Sequence, residues 1–210
     1  MPLPHVPVPG AILAGGASRR FGSPKALARV DGMRIIDRVR SALAGAVGEM
    51  VLIANEPDLF AGLGLPVRGD RLPGLGPLAG VEAALRWAAE RGGAGALCLS
   101  CDLPFASAGL LRALAERGDA AHAVVPESPR GHGIEPLCAW YPTAALPAVE
   151  RALASTDRSL RALLASVDTI RLPLEVVRRF GDPEVLFFNV NTRDDLERAQ
   201  QLARRTDASS

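Results

Sequence analysis

The sequence is poor in cysteine, with three residues in 210, and this scarcity excludes a disulfide framework. Cys98 and Cys101 form a C-x-x-C pair, but no second pair and no His-x-His motif accompanies it. The pair also lies in a strand-like apolar run. We therefore expect neither a zinc site nor a redox centre at these two cysteines.

An excess of charge of one sign is also missing, because the formal net charge is only +1. No overall basic field favours a nucleic acid or an anionic membrane, so any anion-binding site must be local. The most apolar stretch, AGALCLSC at 94–101, is far shorter than the roughly 20 residues that span a bilayer. The N-terminal MPLPHVPVPG has neither the basic nor the apolar region of a signal peptide. We expect a cytoplasmic protein without nucleic-acid or membrane partners.

Short apolar runs alternate with helical patterns, which predicts an α/β protein with a mostly parallel central sheet. We expect one domain over residues 1–210, a Rossmann-like three-layer sandwich whose tail from about residue 206 is disordered. The segment 126–136 is then a loop inside this domain, although a linker between two domains is the alternative. The predicted strands lie near 9–14, 50–54, 95–100, 121–126, 137–141 and 185–190. The predicted helices cover 78–91, 107–118 and 160–167, and a last helix begins at the Thr192–Asp195 capping pair and ends near Arg205.

The stretch AILAGGASRRFGSPKALA at 11–28 places glycines and cations directly after a predicted strand. Gly15 and Gly16 let the backbone take positive φ and turn its N–H groups inward, which suits phosphate oxygens. Further donors and positive charges come from Ser18, Arg19, Arg20 and Lys25. The spacing matches neither a Walker A loop nor a dinucleotide fingerprint. A phosphate-binding loop is the favoured interpretation, and a basic surface turn is the alternative.

Four motifs together resemble those of the molybdenum cofactor guanylyltransferases. The string L-A-G-G-x-S-x-R-[M/F]-G-x-x-K, from Leu13 to Lys25, is shared with the wider nucleotidyltransferase superfamily. GPLAG (76–80), CDLP (101–104) and NVNT (189–192) follow in that family's order. The resemblance implies a fold of the nucleotidyltransferase type and transfer of GMP from GTP to the terminal phosphate of molybdopterin. It also implies Mg²⁺ as the cofactor and pyrophosphate as the second product.

Asp102 ends a predicted strand, at the sheet edge where open α/β proteins bind ligands. A carboxylate there can hold Mg²⁺, which prefers one or two carboxylates together with phosphate oxygens and water. The alternative is a carboxylate that starts a turn or caps the helix after it. The resemblance implies the metal role.

Asn55 and Asp70 follow the second predicted strand, and either could be an ordinary loop residue. The Asn55 amide can donate and accept at a base or ribose edge. The Asp70 carboxylate can accept from the ring N–H and the amino group of guanine, an arrangement that cytosine does not offer. Both coincide with nucleotide-contacting positions of the similar family. Gly76, Pro77 and Gly80 of GPLAG are expected to shape the same pocket, with a plain helix entry at Pro77 as the alternative.

Asn189 and Asn191 alternate with Val190, so on a strand both side chains face one side. Two amides there suit a heteroaromatic, pterin-like partner, as the resemblance implies, and a simple strand end is the alternative. Arg158 is a weaker candidate for the terminal phosphate of the second substrate, since it can equally be a solvated helix charge. No triad surrounds His132, which we interpret as a loop residue.

The resemblance assigns the remaining roles around the triphosphate. The backbone of Leu13, Ala14, Gly15 and Gly16 is expected to cradle the nucleotide, with Ser18 as an added donor. Arg20 and Lys25 are expected to stabilise the negative charge that grows during transfer, and Asp102 to hold the metal. The N-terminal half then binds the nucleotide and the C-terminal half the pterin. Pro24, where the family mostly has aspartate, leaves open how Lys25 is oriented.

Three other activities remain as alternatives. The first is the related cytidylyltransferase that acts on the same pterin, although its first loop usually reads differently. The second is a sugar-1-phosphate nucleotidyltransferase, whose chains are generally longer. The third is a catalytically silent accessory protein that binds nucleotide, against which the presence of Lys25 and Asp102 argues. As partners we expect GTP, molybdopterin and transient contacts with cofactor-insertion proteins and apo-molybdoenzymes, with the chain acting as a monomer.

Overall fold

The computed structural model describes residues 8–15, 25–72, 74–130 and 133–207. The strands are β1 (Pro9–Leu13), β2 (Arg29–Val30), β3 (Met33–Arg34), β4 (Glu49–Ile53), β5 (Val67–Arg68), β6 (Gly95–Ser100), β7 (Ala123–Pro126), β8 (Cys138–Pro142) and β9 (Thr169–Leu172). The helices are α1 (Ile35–Ala44), α2 (Pro77–Glu90), α3 (Ala108–Arg117), α4 (Leu146–Ala154), α5 (Leu160–Ser166), α6 (Leu174–Val177), α7 (Pro183–Leu186) and α8 (Arg193–Asp207). None of the helices in this part of the chain is both long and apolar enough to cross a bilayer.

Seven strands form one sheet in the order β5-β4-β1-β6-β8-β7-β9. All neighbours pair in parallel except β8, which runs antiparallel to both β6 and β7. The strands β6, β7 and β9 therefore point the same way as β1, β4 and β5. Because the chain passes from β1 to β4 on one side and returns to β6 on the other, the order reverses at β1. Ligands bind outside the carboxyl ends of strands at such a point.

Two apolar cores cover the two faces of this sheet. Side chains alternate between the faces along each strand, so Ile12 joins one core while its neighbours Ala11 and Leu13 join the other. The first core includes residues from α1, α3 and α8, and the second includes residues from α2, α4 and α5. This arrangement confirms the predicted Rossmann-like three-layer sandwich with a mostly parallel sheet.

The predicted strand at 185–190 is wrong. Asp182 caps α7 by accepting a hydrogen bond from the Glu184 N–H at 2.9 Å, and Pro183 occupies the first helical position. This helix start overrides the strand preference of the Val-Leu-Phe-Phe run, because proline fixes a helical φ there and an N-cap aspartate satisfies a free N–H. Residues 187–191 that follow α7 are irregular.

The strand β9 was not predicted, because its sequence gives little strand signal. It lies at the edge of the sheet, and Ile170 and Arg171 within it are exposed. The other five predicted strands and the predicted helices are present, with ends within a few residues. The capping pair is also confirmed: the Thr192 hydroxyl donates to Asp195 at 2.9 Å, and the Asp195 N–H donates back at 3.1 Å.

Candidate active site

The carboxyl ends of β1, β4 and β6 meet at one edge of the sheet. The Ala14 N–H donates to the Ile53 carbonyl at 2.9 Å, and the Cys101 N–H donates to the Leu13 carbonyl at 3.0 Å. The residues after these strands, among them Gly15, Asn55 and Asp102, are therefore held next to one another. This edge is the candidate active site, in agreement with the crevice that the strand order defines.

Lys25 and Asp102 form an ion pair at this edge, although 77 residues separate them. The Lys25 ammonium donates to Asp102 Oδ2 at 2.8 Å and to Asn191 Oδ1 at 2.9 Å. The side chains of Lys25 and Asp102 are only 17% and 10% exposed. A partly buried pair of this kind is screened less by solvent than a surface pair. The three predicted site residues Lys25, Asp102 and Asn191 thus lie together.

The second carboxylate oxygen of Asp102 differs from the first in its contacts. Oδ1 is buried and accepts no hydrogen bond from any residue that the structure describes. A buried carboxylate oxygen without a partner costs free energy unless a donor or a cation reaches it. No cluster of three or more metal-ligating side chains is present within the described residues. The donor set fits Mg²⁺ bound to substrate phosphates, which needs one or two protein carboxylates, rather than an all-protein metal cage.

Asn55 and Asp70 hold each other in a reciprocal pair. The Asn55 amide donates to Asp70 Oδ2 at 2.9 Å, and the Asp70 backbone N–H donates to Asn55 Oδ1 at 2.9 Å. Gly69 lets the loop close, since a Cβ there would lie 3.2 Å from Asn55 Oδ1. Asp70 Oδ1 is buried and lacks a hydrogen-bond partner in the described part of the chain. The pair therefore presents one fixed acceptor to a ligand.

The GPLAG segment forms the entry to α2. Gly76 has a φ of 79°, a conformation that favours glycine, and Pro77 is the first residue of the helix. A Cβ on Gly80 would lie 3.5 Å from the Leu13 side chain, an ordinary contact. The helix thus packs on β1 beside the candidate site. The first residues of α2 follow the loop that contains Asp70. The structure places the beginning of this helix at the predicted edge of the sheet.

The two asparagines of NVNT take different positions, because no strand exists there. Asn191 reaches Lys25, whereas Asn189 Oδ1 is buried and accepts no hydrogen bond from residues 8–15, 25–72, 74–130 or 133–207. The Val190 N–H between them donates to the Asp102 carbonyl at 3.0 Å and fixes the segment against the site. The prediction that both amides face one side assumed a strand at these residues, and this assumption is wrong. Asn191 nevertheless faces the site.

Several predicted residues lie elsewhere or outside the described chain. The Arg158 guanidinium donates to the Leu153 carbonyl at 3.0 Å, which favours a role at the end of α4. Outside the described residues lie Gly16, Ser18, Arg19, Arg20, Pro24 and His132. Cys98 and Cys101 are free and buried, and burial raises the pKa of each thiol to about 12. Both therefore keep their protons at neutral pH.

Sequence reasoning missed Glu135, which lies in the turn before β8. The Ser100 N–H donates to the Leu137 carbonyl at 2.8 Å, so this turn returns towards Asp102. Burial raises the pKa of the Glu135 carboxyl to about 7, the Leu137 N–H opposes the shift, and the negative charge of Asp102 adds to it. The antiparallel direction of β8 brings this turn to the site, and the sequence gives no signal of that direction.

Glu135 makes the stability of the fold depend on pH. Its pKa is higher in the folded protein than in the unfolded chain, so the folded state retains a proton that the unfolded state loses as pH rises. The free energy of unfolding should therefore fall between about pH 4.5 and 7, by at most about 3 kcal/mol. In Glu135→Gln this fall should be absent, which urea unfolding at pH 5 and pH 8 measures. The control is Glu116→Gln, at an exposed position of α3; equal pH dependence in Glu135→Gln and the wild type would contradict the expectation.

An open α/β sheet with a cation, a carboxylate and amide groups gathered at its switch point defines a nucleotide-binding protein of the nucleotidyltransferase type. The sequence model described as "MobA-like NTP transferase domain" matches residues 10–174. This chain belongs to the MobA-like NTP transferase family. The match ends at residue 174. Beyond it lie Asn189, Asn191 and the last two helices, α7 and α8.

Curated relatives and solved structures agree with this family. A probable molybdenum cofactor guanylyltransferase of Pelotomaculum thermopropionicum is 36% identical over 194 residues, which cover 92% of each chain. A molybdenum cofactor guanylyltransferase of Acidiphilium cryptum is 40% identical over 192 residues, 90% of this chain and 92% of that one. The crystal structure of molybdopterin-guanine dinucleotide biosynthesis protein A from Archaeoglobus fulgidus has a TM-score of 0.77 at 27% identity, over 94% of this chain and all of that one.

Proposed function

We propose that this protein transfers GMP from GTP to the terminal phosphate of molybdopterin, giving a guanine dinucleotide and pyrophosphate. The names of the relatives at 36–40% identity support this activity. The structural observation that carries the proposal is the Lys25–Asp102 pair, which joins a cation to a carboxylate whose buried Oδ1 accepts no hydrogen bond from the described residues. A nucleotidyl transfer needs both groups at one place, because charge must be neutralised on several phosphate oxygens.

We assign the recognition of guanine to Asp70. Its Oδ1 accepts from the ring N–H and the amino group of the base, while Asn55 holds the carboxylate in place. Cytosine offers no such pair of neighbouring donors, and adenine carries an acceptor at the ring position concerned. A fixed buried acceptor discriminates strongly, because the wrong base leaves it unpaired.

The triphosphate is assigned to the glycine-rich loop and the beginning of α2. The backbone N–H groups of the loop donate to phosphate oxygens, and the cations neutralise them. The residues assigned to nucleotide binding are Leu13, Ala14, Gly15, Gly16, Ser18, Arg20, Lys25, Gly76, Pro77 and Gly80. Positive charge on Arg20 and Lys25 acts on the negative charge that develops in the transition state.

Asp102 is the residue that would hold Mg²⁺, through Oδ1, which has no hydrogen-bond donor within the described part of the chain. A bound Mg²⁺ would supply charge neutralisation on phosphate oxygens of the nucleotide. Lys25 remains on Oδ2 and fixes the carboxylate in one orientation. Asp102 is thus assigned two contacts: Lys25, which positions its carboxylate, and the metal.

In the reaction, a terminal phosphate oxygen of molybdopterin attacks the α-phosphorus of GTP. A new P–O bond forms, the bond between the α-phosphorus and the α–β bridging oxygen breaks, and pyrophosphate leaves with the electron pair. The attacking phosphate is already an anion, so no side chain need act as its base. The protein contributes positioning and electrostatic stabilisation. We assign the nucleotide to the N-terminal half and the pterin to the C-terminal half, with Asn189 and Asn191 between them.

The test is pyrophosphate release from purified protein with Mg²⁺, molybdopterin and each of GTP, CTP, ATP and UTP. We expect release with GTP, dependent on molybdopterin, and far less with the other nucleotides. Release with CTP alone would assign a cytidylyltransferase instead. No release with any nucleotide, together with GTP-dependent thermal stabilisation, would identify a silent nucleotide-binding protein.

A further inference from the structure

Glu135 is a half-buried carboxyl group to which the reaction described above gives no role. Its Oε1 accepts a hydrogen bond from the Leu137 N–H at 3.2 Å. Its backbone N–H donates to the Pro126 carbonyl at 3.0 Å, and its carbonyl accepts from the Cys138 N–H at 3.2 Å. These bonds fix the carboxyl group in the turn before β8. Among the described residues no positive charge lowers its pKa, so it is not part of an ion pair there.

The pairing of β6 with β8 brings Glu135 to the end of β6 where Asp102 lies. At this end the Ser100 N–H donates to the Leu137 carbonyl at 2.8 Å. Asp102 follows Ser100 by two residues. Glu135 precedes Leu137 by two residues. Because β6 and β8 run antiparallel, the two carboxylates come to the same end of the ladder. The negative charge of Asp102 also acts on Glu135, since it raises the pKa of the Glu135 carboxyl.

Two carboxylates held near each other repel unless a proton or a cation lies between them. On Asp102 the two oxygens differ, because Lys25 donates to Oδ2 at 2.8 Å. Oδ1 is buried in a side chain that is only 10% exposed, and it accepts no hydrogen bond from the described residues. A cation that enters between Asp102 and Glu135 therefore meets an oxygen that needs a partner.

The charges at this site indicate a cation in addition to Lys25. The ion pair of Lys25 and Asp102 is neutral as a unit, so by itself it attracts a divalent cation weakly. An ionised Glu135 adds a negative charge beside this pair. Mg²⁺ and Mn²⁺ bind carboxylate oxygens, and Mg²⁺ sites commonly use one or two carboxylates, with water and phosphate as the other ligands.

We propose that Glu135 is a second protein ligand, together with Asp102, for the divalent cation of this site. The two carboxylates hold the cation before the nucleotide binds, and the nucleotide phosphates then replace part of its water. This gives the turn before β8 a direct part in metal binding, beyond the single carboxylate assigned above. The role of this cation in GMP transfer rests on the proposed function.

The test is binding of Mn²⁺ to the purified protein without nucleotide, followed by the loss of the electron paramagnetic resonance signal of free Mn²⁺. We expect Kd for Mn²⁺ to rise at least about 10-fold in Glu135→Gln, the effect of removing a group that tunes a metal site. Asp102→Asn should weaken binding similarly. Glu135→Asp keeps the charge on a shorter side chain and should recover part of the affinity. The control is Glu116→Gln, at an exposed position of α3, which should keep the wild-type Kd.

Thermal unfolding of each variant in EDTA reports on the fold separately from the metal. A purely structural role of Glu135 would change stability in EDTA and leave Kd for Mn²⁺ unchanged, which would overturn the proposal. A wild-type protein that binds no Mn²⁺ without nucleotide would overturn it as well. Mn²⁺ binding that depends on Glu135, in a protein that releases no pyrophosphate from GTP, would support the metal site and contradict the guanylyltransferase activity.

Discussion

Replacing Lys25 with alanine is expected to lower kcat for GMP transfer by about 10²–10³-fold, the cost of removing one preorganised group that stabilises transition-state charge. The Lys25 ammonium is held by Asp102 and Asn191 at 2.8 and 2.9 Å, so its position is fixed before substrate binds. The measurement is kcat at saturating GTP and molybdopterin, with thermal unfolding to confirm the fold. Arg161→Ala, which removes an exposed positive charge from α5, is the control and should keep the wild-type rate.

Lys25 is the only lysine of the chain, whereas the other 23 of its 24 basic residues are arginine. This composition makes Lys25→Arg an informative second variant. Arginine carries the same charge on a larger planar group, which does not replace a compact ammonium between two acceptors. We expect Lys25→Arg to recover only a small part of the lost rate. A wild-type rate in this variant would mean that net charge alone matters at position 25 and that the contacts with Asp102 and Asn191 do not.

Asp102 and Lys25 should behave as one unit in kinetics. Asp102→Asn removes the charge of the carboxylate that pairs with Lys25 and that is assigned to the metal. We expect kcat to fall in this variant at least as much as in Lys25→Ala. In the double variant the losses should fall well short of additive, because each single change already disables the pair. Fully additive losses would contradict the coupling that the 2.8 Å contact indicates.

The sequence predicted which residues belong to this site better than it predicted the contacts between them. Lys25, Asp102 and Asn191 were each identified from their motifs, yet Asn191 lies 166 residues from Lys25, and spacing alone gives no sign of that contact. The reciprocal hydrogen bonds of Asn55 and Asp70 depend on how the loop at Gly69 closes, which local propensity does not determine. Strand ends could be predicted because buried apolar runs have a distinct pattern, but side-chain pairing arises from the folded chain.

The errors concentrate in the C-terminal part of the chain, where local signals compete. Between residues 182 and 191 a helix cap and a proline precede four residues of high strand preference, and the cap prevails. Glu135 escaped notice because an antiparallel strand inside a mostly parallel sheet leaves no mark in hydrophobic periodicity.

Asp70→Asn should remove most of the selectivity for guanine. The substitution replaces one carboxylate oxygen by an amide group that donates, so either the two guanine donors lose their acceptor or the Asn55 amide loses the oxygen to which it donates. A base-specific contact of this kind contributes about 1–3 kcal/mol to base discrimination, so kcat/KM for GTP should fall by about 10–100-fold. The ratio of GTP to ATP turnover, measured by pyrophosphate release, should fall with it. Asp58→Asn, at an exposed position after β4, is the control and should keep the wild-type ratio.

Asn55→Ala tests whether the pair, or Asp70 alone, determines this selectivity. Without the Asn55 amide the Asp70 carboxylate keeps its charge but loses the hydrogen bond that fixes its direction, and the Asp70 backbone N–H loses its acceptor. We expect a smaller loss of selectivity than in Asp70→Asn, since a carboxylate that must be ordered on binding still accepts from guanine at an entropic cost. The double variant should be no less selective than Asp70→Asn, because Asn55 acts only through Asp70. A further loss in the double variant would instead indicate that Asn55 contacts the nucleotide directly.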